Sequence, residues 1–233
     1  PLIGGTIWTY GRNGELSQEC AVNSGSLING VQLDEEGCIY FVVKRNALRG
    51  GRPFLAGKGG TFGAPGDKRG ANPLIGTLLK TSGKKTRFLL THAAIPLDER
   101  PNRPADLEEG VWVEEMEWLY AGASPLAFGC SCPTQRSHLD WYKRTFVPEA
   151  YRHSFGVLDA AGNVIMHLGT YGNYDSGSGT KSKIPVGGDN IALYMPRFIS
   201  GTDNYLCFTD WGERLVVLKI AYHADETVPI TMK

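Results

Sequence analysis

The sequence has no long apolar run. Stretches such as residues 191–195 and 215–218 fall far short of the roughly 20 residues that a membrane-spanning helix needs, which excludes insertion by helices. It has no excess of either charge: 24 Lys and Arg meet 24 Asp and Glu, and the basic residues are scattered rather than gathered in a stripe. Nucleic acid and anionic membrane surfaces are therefore not expected as partners. It has no CxxC pair of a zinc ribbon and no CxxCH haem attachment. Its five cysteines, Cys20, Cys38, Cys130, Cys132 and Cys207, are too few for a small disulfide scaffold, and their odd number leaves at least one thiol without a partner inside the chain. It also lacks helical punctuation, since no stretch of twelve or more residues holds an apolar period at i, i+3, i+4 and i+7. Helix is expected in less than about a quarter of the chain.

What is present is turn chemistry. Thirty glycines and thirteen prolines cut a chain of 233 residues and 42% hydrophobic content into short pieces. Between them lie β-branched and aromatic runs, which predict strands at residues 6–10, 30–33, 38–43, 86–91, 111–120, 154–158, 164–168, 191–195, 205–209 and 214–221. Two joins read as hairpins. Val157-Leu158-Asp159-Ala160-Ala161-Gly162-Asn163-Val164-Ile165 and Val31-Gln32-Leu33-Asp34-Glu35-Glu36-Gly37-Cys38-Ile39-Tyr40 share one pattern: apolar strand, Asp, turn residues ending in Gly, apolar strand. Glycine supplies the positive φ that such turns need. A third unit runs from Asp203 through Asp210-Trp211-Gly212-Glu213-Arg214 to Leu218. Recurrent short antiparallel strands with related turns read as an all-β, blade-by-blade architecture. Residues 46–85 and 121–152 read mostly as loop insertions in a single domain covering residues 1–233.

The Asp210-Trp211-Gly212-Glu213-Arg214-Leu215 turn, the Asp159 to Val164 hairpin and the Gly-ended tails Ile7-Trp8-Thr9-Tyr10-Gly11 and His167-Leu168-Gly169-Thr170-Tyr171-Gly172 resemble the blades of NHL-repeat β-propellers. In that family an Asp-x-Gly-Asn-x-Arg-Ile turn joins the second and third strands. Glu213 stands where the family usually has Asn, and that turn is one residue short. The resemblance covers about four recognisable blades, strongest from Tyr151 onward and over residues 26–45. It implies a propeller-like fold. Six blades at about 40 residues each would consume the whole chain, so part of a larger propeller is expected, completed by another segment or polypeptide.

The densest chemistry lies in residues 128–148, where Cys130, Cys132, His138, Asp140, Arg136 and Arg144 fall together. Soft thiolates with an imidazole suit Cu(I) or Zn(II), so Cys130, Cys132 and His138 form a candidate metal site. The same thiols equally suit pairing with Cys20, Cys38 or Cys207, burial as small hydrophobes, or a redox role in which Arg136 and Arg144 favour the thiolate. His153 and His167 bracket a hairpin and are expected to meet only if strand alternation puts them on one face. His92 and His223 carry no further signal. The oxygen-rich residues 171–179 have the character of a loop that tolerates calcium, without the ligand spacing of an EF-hand; self-capping of turn amides accounts for them as well. Residues 57–70 are Gly-rich but break the order of a phosphate-binding loop. Glu114, Glu115 and Glu117 read as the solvated edge of one strand over residues 111–120.

No Ser/His/Asp order, nucleotide fingerprint or strong metal motif compels an enzyme. The expectation is a binding or scaffold subunit of an exported protein, extracellular or periplasmic, starting at Pro1 as a mature or cleaved product. An enzyme using a propeller cavity, either a metal-dependent lyase or a redox subunit, and an architectural subunit that pairs through its strand edges are the alternatives.

Overall fold

The computed structural model describes residues 5–55, 76–90, 104–123, 136–149, 152–177, 184–185, 191–210, 212 and 214–221. These residues form strands and turns, with a short 3-10 turn at Glu108–Gly110 and no α-helix among them. The chain is all-β. The strands are β1 (Thr6–Tyr10), β2 (Leu16–Asn23), β3 (Ile28–Leu33), β4 (Ile39–Val43), β5 (Leu48–Arg49), β6 (Arg52–Pro53), β7 (Thr77–Thr81) and β8 (Thr86–Leu90). They continue with β9 (Val111–Val113), β10 (Met116–Ala121), β11 (His138–Leu139), β12 (Thr145–Glu149), β13 (Ser154–Leu158) and β14 (Val164–Leu168). The last are β15 (Thr170–Tyr171), β16 (Ser176–Gly177), β17 (Ile184–Pro185), β18 (Ala192–Leu193), β19 (Pro196–Gly201), β20 (Tyr205–Asp210) and β21 (Arg214–Lys219).

Four sheets carry the core. The first, β1-β2-β8-β9, is mixed: β2 and β8 run parallel through Val22 opposite Thr86 and Asn23 opposite Arg87. The other three, β3-β4-β7-β10, β11-β12-β13-β14 and β19-β20-β21, are antiparallel meanders in chain order. The described residues show no closed ring of sheets.

Strand alternation explains how the sheets stack. On β4, Ile39, Phe41 and Val43 point one way and join Ala21, Val22, Leu79, Val111 and Val113 in a core between the first and second sheets. Val42 points the other way, to Leu78, Val147 and Leu158, between the second and third. Phe146, Phe155 and Val157 of the third sheet meet Ile199, Leu206 and Phe208 of the fourth. The central strands β4, β7, β12 and β13 are thus buried on both faces, which is why they lack a clean polar alternation. The opening strands of the three meanders lie side by side: β11 touches both β3 and β19. Ser137 Oγ donates to Gly30 O at 3.1 Å, and Arg136 pairs in parallel with Phe198.

Two features differ from the sequence reading. The strand expected over residues 111–120 is split, because Glu115 sits at φ 58° in a turn that sends β9 to β8 and β10 to β7. Its acidic residues therefore serve separate partners: Glu114 binds Arg87, Glu115 binds Ser82, and Glu117 binds Lys80. The buried strands β7 and β12 fall inside the segments read mostly as loop. Pro148 made β12 hard to see, but β11 ends opposite Phe146. Beyond that point β12 is an edge on that side, where proline is tolerated.

Candidate functional site

The most unusual group in the described structure is Glu149, whose carboxylate is buried completely at the end of β12. A buried carboxylate persists only when its oxygens are fully engaged. Here Oε1 accepts the Tyr120 hydroxyl from β10. Oε2 accepts Ser154 Oγ at 3.0 Å and faces His167 Nδ1 at 2.8 Å, while Arg152 Nε lies 4.0 Å from Oε1.

Glu149 and His167 sit on strands that are not neighbours, and a glycine joins them. In the register, Gly156 of β13 lies opposite Val147 on one side and His167 on the other. A Cβ at Gly156 would stand 3.2 Å from Glu149 Cδ and 3.3 Å from Val147 Cγ1. Its missing side chain leaves the space in which Glu149 reaches across the middle strand. Because Nδ1 faces a carboxylate, the hydrogen-bond pattern assigns a proton to Nδ1. Nε2 lies 3.5 Å from Arg152 Nη1.

His167, Arg152 and Tyr120 line a cavity of about 490 Å³ between the second and third sheets. Its other walls are Leu119 and Ala121 of β10, Val164 of β14, and the β5–β6 hairpin with Leu48, Arg49 and Phe54. Small-molecule sites combine this order of volume, apolar walls and a few convergent polar groups. The arrangement offers an oriented imidazole, two guanidinium groups and an apolar floor.

Of the residues singled out in the sequence, His167 belongs to this cluster. His153 does not meet it: its Nδ1 faces Tyr194 O at 2.6 Å, and its ring packs edge-on against Tyr171. Cys130 and Cys132 lie outside the described residues, as do His92, His223, Trp211, Glu213 and residues 57–70. His138 lies on β11 beside Phe146, with its pKa lowered by burial, which keeps the ring neutral. It lines a second cavity with Arg136, Ser137 and Cys207. Arg144 is committed to Asp140, with Nε 2.7 Å from Oδ2. Cys20, Cys38 and Cys207 carry free thiols. In the oxygen-rich loop, Asn173 Oδ1 accepts the Asp175 amide, the self-capping arrangement.

Asp34, Glu36 and Cys38 also bring three ligand atoms within 4.8 Å of one another. Their chemistry is that of a turn. Asp34 Oδ1 accepts the amides of Glu36 and Cys38, and Oδ2 accepts Tyr40 OH. Burial first, then the nearby carboxylates Asp34 and Glu117, push the Cys38 thiol up, away from the thiolate that binds metals.

Sequence reasoning missed Glu149, Tyr120, Arg152 and Arg49. The readable signal was Gly156, a glycine in the middle of the strand Ser154–Leu158, a position that often marks a close approach. No protein-family model matches this chain, and no curated protein sequence matches it.

Proposed function

We propose that the chain is a binding or scaffold subunit of an exported protein, built from NHL-like propeller blades, and that its ligand enters the cavity at His167. The observation that carries the reading is the stacking order. Each meander places its opening strand beside that of its neighbour, with β11 between β3 and β19, as blades around an axis do. The two end sheets are consistent with a partial propeller. Trp8 and Tyr10 are 44% and 57% exposed on the first sheet, while Leu215 and Val217 are 69% and 60% exposed on the last. Such apolar faces fit further blades from another segment, another polypeptide or a second copy. An experimental structure of the chain in its native assembly tests this. Further sheets seated on β1 and β21 support it, and an assembly that leaves those faces in water overturns it.

The Glu149–His167 pair favours an enzyme as the second reading, because a carboxylate that orients an imidazole is the arrangement of a general base. The metal-dependent form of that reading places copper or zinc on Cys130, Cys132 and His138. Elemental analysis of the purified protein separates it from the binding module: stoichiometric copper or zinc supports the metalloenzyme, and a metal-free protein supports the module.

A further inference from the structure

The cavity between the second and third sheets has a definite charge character. Its described lining includes Arg49, Arg152 and His167 but no Asp or Glu. The nearest carboxylate, Glu149, is withdrawn behind the wall, and its two oxygens are taken by Tyr120, Ser154 and His167. Among the described lining residues a cation would meet no carboxylate, but it would meet two arginine side chains. An anion would meet those groups beside apolar side chains.

The remaining described lining is largely apolar. Leu119 and Val164 face the cavity, and Phe54 pairs with Arg49, whose guanidinium carbon stands 5.8 Å from the ring centroid. A ligand with a single anionic head and a hydrocarbon body satisfies both parts of the lining. A carboxylate is planar and presents two oxygens to a guanidinium fork, so it suits these groups better than a spherical halide.

We infer that this cavity binds a small carboxylic acid with an apolar body, its carboxylate toward Arg49 and Arg152 and its hydrocarbon against Phe54, Leu119 and Val164. The inference rests on reading the cavity as the ligand site. His167 contributes by position: held through Nδ1 by Glu149, it keeps Nε2 toward Arg152 and fixes the polar end of the cavity.

The test is titration calorimetry on the full chain with two probe sets, hexanoate with hexanol and hexylamine, and benzoate with benzyl alcohol and benzylamine. The acid of at least one set is expected to bind saturably and at least tenfold more tightly than its alcohol, with the amine weakest. Arg49→Gln and Arg152→Gln are each expected to remove most of that preference. Arg49 is exposed on a two-residue strand, so its variant reports on binding even if Arg152→Gln fails to fold. Equal binding of acid and alcohol, or a preference for the amine, overturns the carboxylate assignment while leaving the cavity as a ligand site. Absence of binding by all six probes overturns both.

Discussion

Gly162 carries two demands at one position. Its φ of 83° is in the left-handed region, and an added Cβ would stand 2.7 Å from the Trp118 ring of the neighbouring sheet. Trp118 Nε1 donates to Ala160 O at 3.0 Å, so the turn is docked through the same ring. Gly162→Val is therefore expected to destabilise the protein by about 1 kcal/mol or more, from backbone strain and overpacking together. A thermal melt reads the loss, and an unchanged midpoint would refute the docking. Gly156 tests the cluster around Glu149 in a different way. Gly156→Val places methyl groups where the Glu149 side chain crosses β13 and is expected to cost about 1–3 kcal/mol. In folded protein it should also release His167, seen as a changed imidazole signal by NMR; a melt loss with that signal unmoved would mean that packing alone was disturbed.

At the scale of elements, one turn recurs. Asp34, Asp140 and Asp159 each accept their own i+3 amide on the backbone oxygen and an i+4 amide on the side chain. The i+3 residues Gly37, Lys143 and Gly162 all have positive φ. The two glycine turns were legible in the sequence; the Asp140 turn was not, because Lys143 occupies the position where glycine gives the signal. Lys143 is held there by Glu35 and Glu36 of the Asp34 turn, at 3.3 and 2.6 Å, a contact between distant segments that no local pattern announces. β13 and β14 were readable from their own residues, whereas β2, with Ser17, Gln18 and Glu19, and β19, opening on Pro196-Arg197, lack an unbroken β-branched or aromatic run although each pairs with its chain neighbour. Within the cluster only His167 stood out in advance, since Glu149 and Tyr120 acquire meaning from the register of three strands. Hydrogen bonds from the Asn163 side chain, and then from backbone amides, lower the Asp159 pKa below its ordinary 3.8. A lowered folded-state value stabilises above the unfolded pKa and loses that contribution as pH falls through the folded value. The melting temperature of the wild type should therefore fall more steeply below about pH 4 than that of Asp159→Asn. Parallel acid profiles would show that the charge contributes nothing.

For the whole molecule, the apolar outer faces of the end sheets set the expected behaviour in solution. An isolated chain is expected to associate at micromolar concentration through the faces carrying Trp8 and Val217. Replacing either with Lys, as Trp8→Lys or Val217→Lys, should shift the native mass toward the monomer. Light scattering reads this directly, and a wild-type chain that stays monomeric removes the case for an open stack.

The mixed pairing in the first sheet has a kinetic consequence. The third and fourth sheets pair strands that are consecutive in the chain, so their loops close cheaply and early during folding. The parallel rungs from Val22 to Thr86 and from Asn23 to Arg87 close across more than sixty residues that hold β3, β4 and β7 of the second sheet, and must wait for them. The β1–β2 hairpin is therefore the last part to be latched and the first to come undone. Hydrogen exchange should show its amides opening at lower free energy than those of β4 and β13, and equal protection throughout would mean that all four sheets form one cooperative unit.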